Sequence, residues 1–143
     1  MPKIPFTGGC ACGAIRYECA AEPLVMFCCH CRDCQQASGG PYAPAILVPA
    51  KSFRITQGTP KYYTTRNASG QTHTRGFCPE CGSRLFGAVD PSAPFAGVVA
   101  SSLDDPSWYR PKFHIFTCDA QPWDFLNPDL PKFAEYAPFD ELK

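Results

Sequence analysis

The sequence has no excess of charge of one sign. Its 143 residues include 13 lysine and arginine side chains and 13 aspartate and glutamate side chains, so the formal net charge is zero. Without a net positive field, a protein has little non-specific attraction for a phosphate backbone. We therefore expect no nucleic-acid partner.

Long apolar runs are also missing. No stretch of about 18 or more apolar residues occurs, and the opening residues Met1 to Phe6 lack the apolar stretch of a secretory signal. We therefore expect no membrane partner and a cytoplasmic location.

The sequence shows no internal repeat, low-complexity block or linker. Its length is typical of one domain, and apolar residues make up 45% of the chain, which is enough to build a core. These features predict a single domain over residues 1–143.

Proline and glycine, by contrast, are abundant, with 16 and 11 residues. Because each proline removes a backbone donor and each glycine adds entropy to the unfolded chain, this composition excludes a helical bundle. Short runs bounded by glycine or proline, several with alternating polarity, instead predict strands. The predicted strands span residues 14–19, 45–49, 53–56, 62–65, 71–77, 84–88, 95–101 and 113–117.

Helical structure is predicted only where proline and glycine are sparse. Residues 31–38 form the best short helix, and residues 104–108 a single turn. A further turn is predicted at residues 68–70. From residue 122 onward, repeated prolines predict an irregular tail. The predicted fold class is mostly β, with antiparallel sheets and short helical turns.

Ten cysteines are the most informative feature of the sequence. In a reducing cytosol, such residues are metal ligands or free thiols more often than disulfides. Seven of them lie in clusters whose spacings would strain a disulfide. The clusters are Cys10-x-Cys12, Cys29-x-Cys31-x-x-Cys34 and Cys78-x-x-Cys81.

The two outer pairs are best interpreted together. Cys78 and Cys81, with Gly82 after them, have the spacing of a zinc knuckle, and Cys10 and Cys12 form a shorter version. Each pair supplies two ligands, whereas a closed zinc site needs four. The pairs are therefore predicted to share one ion, which would link the N-terminal strand to the middle of the chain.

The middle cluster differs in kind because it offers three well-spaced thiolates at the start of a predicted helix. If Cys29, Cys31 and Cys34 bind one zinc ion, a fourth position stays open for water or substrate, as in a catalytic site. Two alternatives remain. His30 or Cys28 could supply a fourth ligand and close the site, or all seven cysteines could share fewer ions.

Three cysteines lie outside the ligand pattern. Cys19, Cys28 and Cys118 are expected to be small buried hydrophobic residues. Cys28 has a further possibility, because its position beside Cys29 could bring it to the metal or to a disulfide with glutathione.

The histidines and basic residues are weaker candidates. His30 could move a proton at the middle cluster or lie at the surface, and His114 is expected to make a structural hydrogen bond rather than act as a base. His73 is interpreted as an ordinary strand residue. A basic patch could receive an anionic ligand, although solvated surface is the commoner role of such residues. The patch consists of Arg32, Arg66, Arg75, Arg84 and Lys112.

With these motifs placed, the chain resembles the glutathione-dependent formaldehyde-activating enzyme family, whose zinc-centred, mostly-β architecture is called the β-tent. Three cysteine clusters in this order are a specific signal, and the resemblance covers most of the chain. It rests on GCACGAIRY at 9–17, CHCRDC at 29–34, SGGPY at 38–42, FCPECGSRLF at 77–86, SLDDP at 102–106 and PKFHIF at 111–116, with Trp123 beyond.

The resemblance implies two zinc ions per chain. Cys10, Cys12, Cys78 and Cys81 would hold a structural ion, and Cys29, Cys31 and Cys34 a catalytic one. The implied activity is that of a carbon–sulfur lyase that joins glutathione and formaldehyde as S-hydroxymethylglutathione. Members of the family need not share one substrate, so another small electrophile is also open. The rival interpretation is a non-catalytic zinc module that binds a protein partner.

Overall fold

The computed structural model describes residues 1–66 and 70–139. Within these residues, ten strands form two sheets beside one short helix, α1 (Arg32–Ser38). The strands are β1 (Phe6–Gly9), β2 (Arg16–Cys19), β3 (Val25–Cys29), β4 (Ala43–Pro49), β5 (Phe53–Gln57), β6 (Lys61–Arg66), β7 (Thr72–Phe77), β8 (Arg84–Gly87), β9 (Phe95–Val99) and β10 (His114–Ile115). This architecture confirms the mostly-β prediction.

The smaller sheet has the order β1-β2-β5, and the larger has the order β10-β3-β4-β9-β8-β7-β6. Neighbouring strands are antiparallel except β10 and β3, which run parallel. The expectation of purely antiparallel sheets was therefore wrong at this edge. The long connection between β9 and β10 allows the chain to return in the direction of β3, which a tight hairpin cannot do.

The larger sheet is covered on both faces, as the central strand β4 shows. Ile46 and Val48 are fully buried and contribute to the core shared with the smaller sheet. Because side chains alternate along a strand, Ala45 and Leu47 point to the opposite face. That second face carries a separate apolar cluster.

The second cluster is built with the C-terminal part of the chain. Phe27 stacks on Phe113 with ring centroids 5.5 Å apart, and Phe133 packs edge-on against Phe113. Residues after 119 contain no strand or helix longer than an isolated bridge in the described part, which confirms the predicted irregular tail. This tail covers the second face instead of extending the sheet.

The predicted helix at residues 31–38 is confirmed, and it ends at Gly39 in the left-handed conformation (φ 73°). The predicted turn at 104–108 is a 3-10 turn, Pro106–Trp108. Two predicted strands extended two residues past the observed C-terminal ends. β9 gives way to a 3-10 turn after Val99, and β10 ends at Ile115 because Phe116 takes a positive φ of 54°.

Strands β1 and β3 were not predicted. Residues 68 and 69 of the predicted turn at 68–70 lie outside the described residues. In the part of the chain that is described, no helix has the length and apolar character required to cross a bilayer.

Candidate functional site

Cys10, Cys12, Cys78 and Cys81 converge from two turns that are far apart in sequence, and we call them the four-cysteine cluster. Their Sγ atoms all lie within 4.8 Å of one another. Cys12 Sγ is 3.6 Å from Cys10 Sγ and 3.7 Å from Cys78 Sγ. The structure thus brings together the two outer pairs that the sequence predicted to meet.

Short turns hold the four-cysteine cluster in place. Each turn needs one residue with positive φ, which is supplied by Gly13 (81°) and Gly82 (75°). Ser83 joins the turns, because its hydroxyl accepts from the Ala11 N–H at 3.0 Å and lies 3.2 Å from Cys81 Sγ. Hydrogen bonds from Ser83 lower the pKa of Cys81 to about 5. The turns therefore favour thiolate at this position.

Cys29, Cys31 and Cys34 form the three-cysteine cluster at the junction of β3 and α1. Cys29 is the last residue of β3, and Cys31 caps the helix, its Sγ accepting from the Cys34 N–H at 3.3 Å. Cys34 Sγ lies 3.3 Å from Cys29 Sγ, and all three Sγ atoms are within 4.8 Å of one another. The tight junction turns three side chains toward one point.

The three-cysteine cluster is arranged to hold negative charge. Hydrogen bonds from Cys29 and Cys31, with a further contribution from Arg75, lower the pKa of Cys34 to about 3. The neighbouring Cys31 and Cys34, together with burial, raise the pKa of Cys29. Arg75 Nη2 donates to Cys34 Sγ at 3.5 Å. One thiolate is therefore stabilised even before any ion neutralises the others.

Both clusters fit a metal ion. In a tetrahedral zinc site with Zn–S bonds of about 2.3 Å, neighbouring sulfurs are roughly 3.8 Å apart, close to the spacings found here. All ten cysteines are free of disulfides, as the sequence predicted. The four-cysteine cluster offers all four ligands of a tetrahedral site, and the three-cysteine cluster offers three, which leaves one coordination position open.

A cavity of about 690 Å³ opens beside the three-cysteine cluster, on the second face of the larger sheet. This volume is within the range of about 300 to 1,000 Å³ typical of small-molecule sites. Its wall combines the three cysteines, apolar side chains from β3 and β4, and aromatic side chains from the C-terminal tail. A small organic molecule can therefore reach the clustered thiols without leaving the cavity.

Four of the five residues of the predicted basic patch line this cavity, and Lys112 is not among them. Arg75 is buried, with 7% of its surface exposed, and Arg84 is half-buried. His73, interpreted as an ordinary strand residue, also lines the cavity, and its Nε2 is 3.2 Å from Tyr136 Oη. The spacing along the sequence gave no sign that β7, β8 and the tail would meet here.

His30 was expected at the metal or at the surface, and the structure contradicts the surface position. Its side chain is fully buried, with Nε2 2.8 Å from His114 Nδ1 and Nδ1 3.1 Å from Asp124 Oδ2. Burial lowers the pKa of both histidines. His114 thus makes the structural hydrogen bond that was expected of it, and His30 points away from the cysteines. Asp124, their partner in the tail, had no signal in the sequence.

The three remaining cysteines differ in their exposure to solvent. Cys19 and Cys28 are buried as expected, but Cys118 is exposed, so the expectation of burial was wrong for it. Cys118 follows the positive-φ turn at Phe116 and lines the cavity mouth. Cys28 Sγ is 3.6 Å from Tyr109 Oη, away from the three-cysteine cluster.

Residues 5–119 match the family model described as glutathione-dependent formaldehyde-activating enzyme. Among curated proteins, one from Penicillium rubens is 27% identical over 124 residues, covering 78% of this chain and 64% of its own length. One from Aspergillus flavus is 28% identical over 119 residues, covering 78% of this chain and 61% of its own length. Both carry the name "Putative glutathione-dependent formaldehyde-activating enzyme". The matches span less than two thirds of these relatives.

A solved structure of a Rhodobacter sphaeroides protein has a similar fold. It superimposes with a TM-score of 0.53 at 18% sequence identity, covering 89% of this chain and 98% of that chain. At this identity the likeness concerns the fold alone.

Proposed function

The chain belongs to the glutathione-dependent formaldehyde-activating enzyme family, and on that premise we propose that it is a zinc-dependent carbon–sulfur lyase. Its proposed reaction joins glutathione and formaldehyde, or a related small electrophile, as an S-hydroxymethyl adduct. The observation that carries the proposal is a three-cysteine cluster that opens into a ligand-sized cavity. We also propose that residues 1–143 form one domain of the β-tent type.

The two clusters are proposed to hold one zinc ion each. Cys10, Cys12, Cys78 and Cys81 would bind the structural ion, since their four sulfurs complete a tetrahedral set. Cys29, Cys31 and Cys34 would bind the catalytic ion. A zinc ion with an open position supplies Lewis acidity, which favours either a thiolate or a polarised carbonyl oxygen.

The reaction itself needs no oxidant or reductant. The glutathione sulfur forms a bond to the formaldehyde carbon, the carbonyl π bond breaks, and the thiol proton is passed to the oxygen. Apolar side chains of β3, β4 and the tail form part of the cavity wall and would displace water from one side of the bound reactants. Arg75 supports the negative charge of Cys34 through its hydrogen bond.

Exchange spectroscopy tests this function. Because glutathione and formaldehyde combine rapidly without a catalyst, the rate of exchange between free and adduct species at equilibrium is the quantity to measure. The wild-type protein is expected to accelerate exchange at least about tenfold, and Cys31→Ser is expected to remove the acceleration. Cys19→Ser is the matched control, since Cys19 lies in the core and its partner Ser52 can hydrogen-bond equally to a hydroxyl.

The outcome also separates an enzyme from a binding module. A wild-type protein that binds glutathione without changing the exchange rate would contradict the proposed reaction. Equal acceleration by wild type and Cys31→Ser would contradict the assignment of the three-cysteine cluster.

A further inference from the structure

Four arginines line the cavity, and two of them, Arg75 and Arg84, are withdrawn from solvent and form no ion pair with a carboxylate of the described residues. The arginine–carboxylate salt bridges of the described residues lie elsewhere, at Arg16–Asp104 and Arg54–Glu18. A cation withdrawn from water is costly unless it is paired. Arg75 and Arg84 therefore need negative charge from another source.

Arg75 has such a source inside the protein. Its Nη2 donates to Cys34 Sγ at 3.5 Å, and its Nη1 donates to Thr65 Oγ1 at 2.8 Å. The charge of Arg75 is thus matched by the three-cysteine cluster.

Arg84 forms no hydrogen bond to an anionic group among residues 1–66 and 70–139, and Cys34 acts on its charge only through space. Its Nη1 donates to two backbone carbonyl oxygens, of Phe86 at 2.6 Å and of Gly76 at 3.1 Å. These bonds fix the direction of the side chain but bring no carboxylate or thiolate into contact with its guanidinium. Burial and the nearby Arg75 lower the pKa of Arg84 to about 10, so the group remains protonated near neutral pH.

Arg84 is also held next to Arg75 by the sheet. β7 and β8 are antiparallel neighbours in which Arg75 pairs with Gly87 and Arg84 pairs with Phe77. Both side chains reach the same cavity as the three-cysteine cluster. A ligand with an anionic group at one end and a thiol at the other can therefore occupy both positions.

We propose that Arg84, supported by Arg75, forms a carboxylate subsite that orients the thiol substrate toward the three-cysteine cluster. This inference rests on the proposed function. A guanidinium matches a carboxylate because its N–H groups form a planar fork. For glutathione, the glycyl carboxylate is the group that fits. The glutamyl carboxylate carries an adjacent ammonium that two guanidinium groups would repel.

Acidic side chains in the cavity wall support this orientation. Asp119 and Glu135 line it from the segment after β10, on elements other than β7 and β8. Acidic side chains there suit the ammonium of the glutamyl group. The cavity wall thus contains basic groups for the carboxylate and acidic groups for the ammonium of the tripeptide.

Calorimetry with two ligands tests the subsite without any change to the protein. Glutathione and its glycyl monoethyl ester differ by one negative charge at the group in question. Wild-type protein is expected to bind the ester about tenfold or more weakly than glutathione, because a desolvated guanidinium loses its ionic partner. Equal affinity for the two ligands would overturn the proposal.

Variants then locate the effect. Arg84→Met is expected to bind glutathione about tenfold more weakly than the wild type does, and to bind glutathione and the ester with equal affinity. Arg84→Lys keeps the positive charge and is expected to retain part of the preference for glutathione. Arg54→Met is the control, since Arg54 is exposed and pairs with Glu18 in the smaller sheet. A preference for glutathione that persists in Arg84→Met would overturn the proposal even if the wild type discriminates.

The same samples distinguish failure of the subsite from failure of the reaction. Arg84-dependent discrimination without accelerated exchange supports the subsite and contradicts the lyase activity. Accelerated exchange with equal binding of both ligands supports the activity and contradicts the subsite. No binding of glutathione to wild-type protein contradicts both.

Discussion

Adjacent cysteines at the end of β3 lie on opposite sides of the sheet. Cys29 faces the cavity with Cys31 and Cys34, whereas Cys28 is buried on the other side against Tyr109. Successive side chains of a strand alternate in direction, so neighbours in sequence cannot share one ion here. Burial also raises the pKa of the Cys28 thiol.

Replacing Cys28 is therefore expected to leave the metal content and the exchange activity unchanged. Cys28→Ala removes a buried sulfur and one weak contact, so the free energy of unfolding should fall by only about 1 kcal/mol. Elemental analysis and chemical denaturation measure the two quantities. Cys29→Ala, one residue away, is the comparison and should lose metal from the three-cysteine cluster. Loss of metal from Cys28→Ala would show that Cys28 is a ligand.

At the residue scale, the sequence predicts thiol clusters better than it predicts the surroundings of single residues. The spacing of Cys29, Cys31 and Cys34 is enough to indicate convergence, because a tight turn and one helical turn leave few alternatives. The environment of His30 depends on Asp124, which lies in the tail, and on His114, which lies in β10. No local pattern encodes such long-range contacts.

At the scale of elements, the four-cysteine cluster joins the turn after β1 to the turn before β8. Hydrogen bonds support this junction only lightly. The Ser83 hydroxyl connects the two turns, and the backbone hydrogen bonds of the turns lie within each turn. An ion that binds four thiolates would therefore contribute a large share of the stability of this junction.

The two clusters should respond differently to loss of one ligand. Cys78→Ser is expected to lower the free energy of unfolding by more than about 3 kcal/mol, since it opens a closed site that links distant segments. Cys31→Ser should cost less, because β3 and α1 are already adjacent in sequence. Thermal denaturation of both variants, followed by circular dichroism, measures the difference. Similar losses of stability would indicate that both clusters are structural.

The predicted strands differ from the strands that were missed in how clearly polar and apolar residues alternate along them. β5 and β6 sit at or near sheet edges and contain polar side chains that mark their period. β3, in contrast, is buried over four of its five residues, so no alternation is visible. β1 includes Gly8 and Gly9, and paired glycines in a sequence are typical of a loop. Gly8 is needed there because a Cβ would come within 2.4 Å of Tyr17 Oη.

At the scale of the whole molecule, the tail turns one face of a sheet into a cavity. Its residues 131–135 hydrogen-bond with residues 114–118 at the edge of the larger sheet, and Phe133 and Ala137 pack on the second cluster. The sequence predicts that this segment is irregular, since its prolines exclude a long helix. The route it takes over the sheet is set by apolar contacts that sequence spacing does not reveal.

The complete molecule is expected to carry about two zinc ions per chain, one in each cluster. Elemental analysis of purified protein gives both the number and the identity of the ions. A mild chelator should remove about one ion while circular dichroism stays unchanged, because three protein ligands hold zinc less firmly than four. The second ion should leave only as the protein unfolds, since the four-cysteine cluster links segments that are far apart in the chain.

Each alternative predicts a different result for the same titration. A single ion that resists the chelator would mean that the three-cysteine cluster works as free thiols, with Cys34 as the stabilised thiolate. Loss of fold on removal of the first ion would mean that the cavity side of the molecule also depends on metal. Folded protein without any metal would contradict both assignments, because the four-cysteine cluster is proposed to depend on its ion to hold segments that are far apart in the chain.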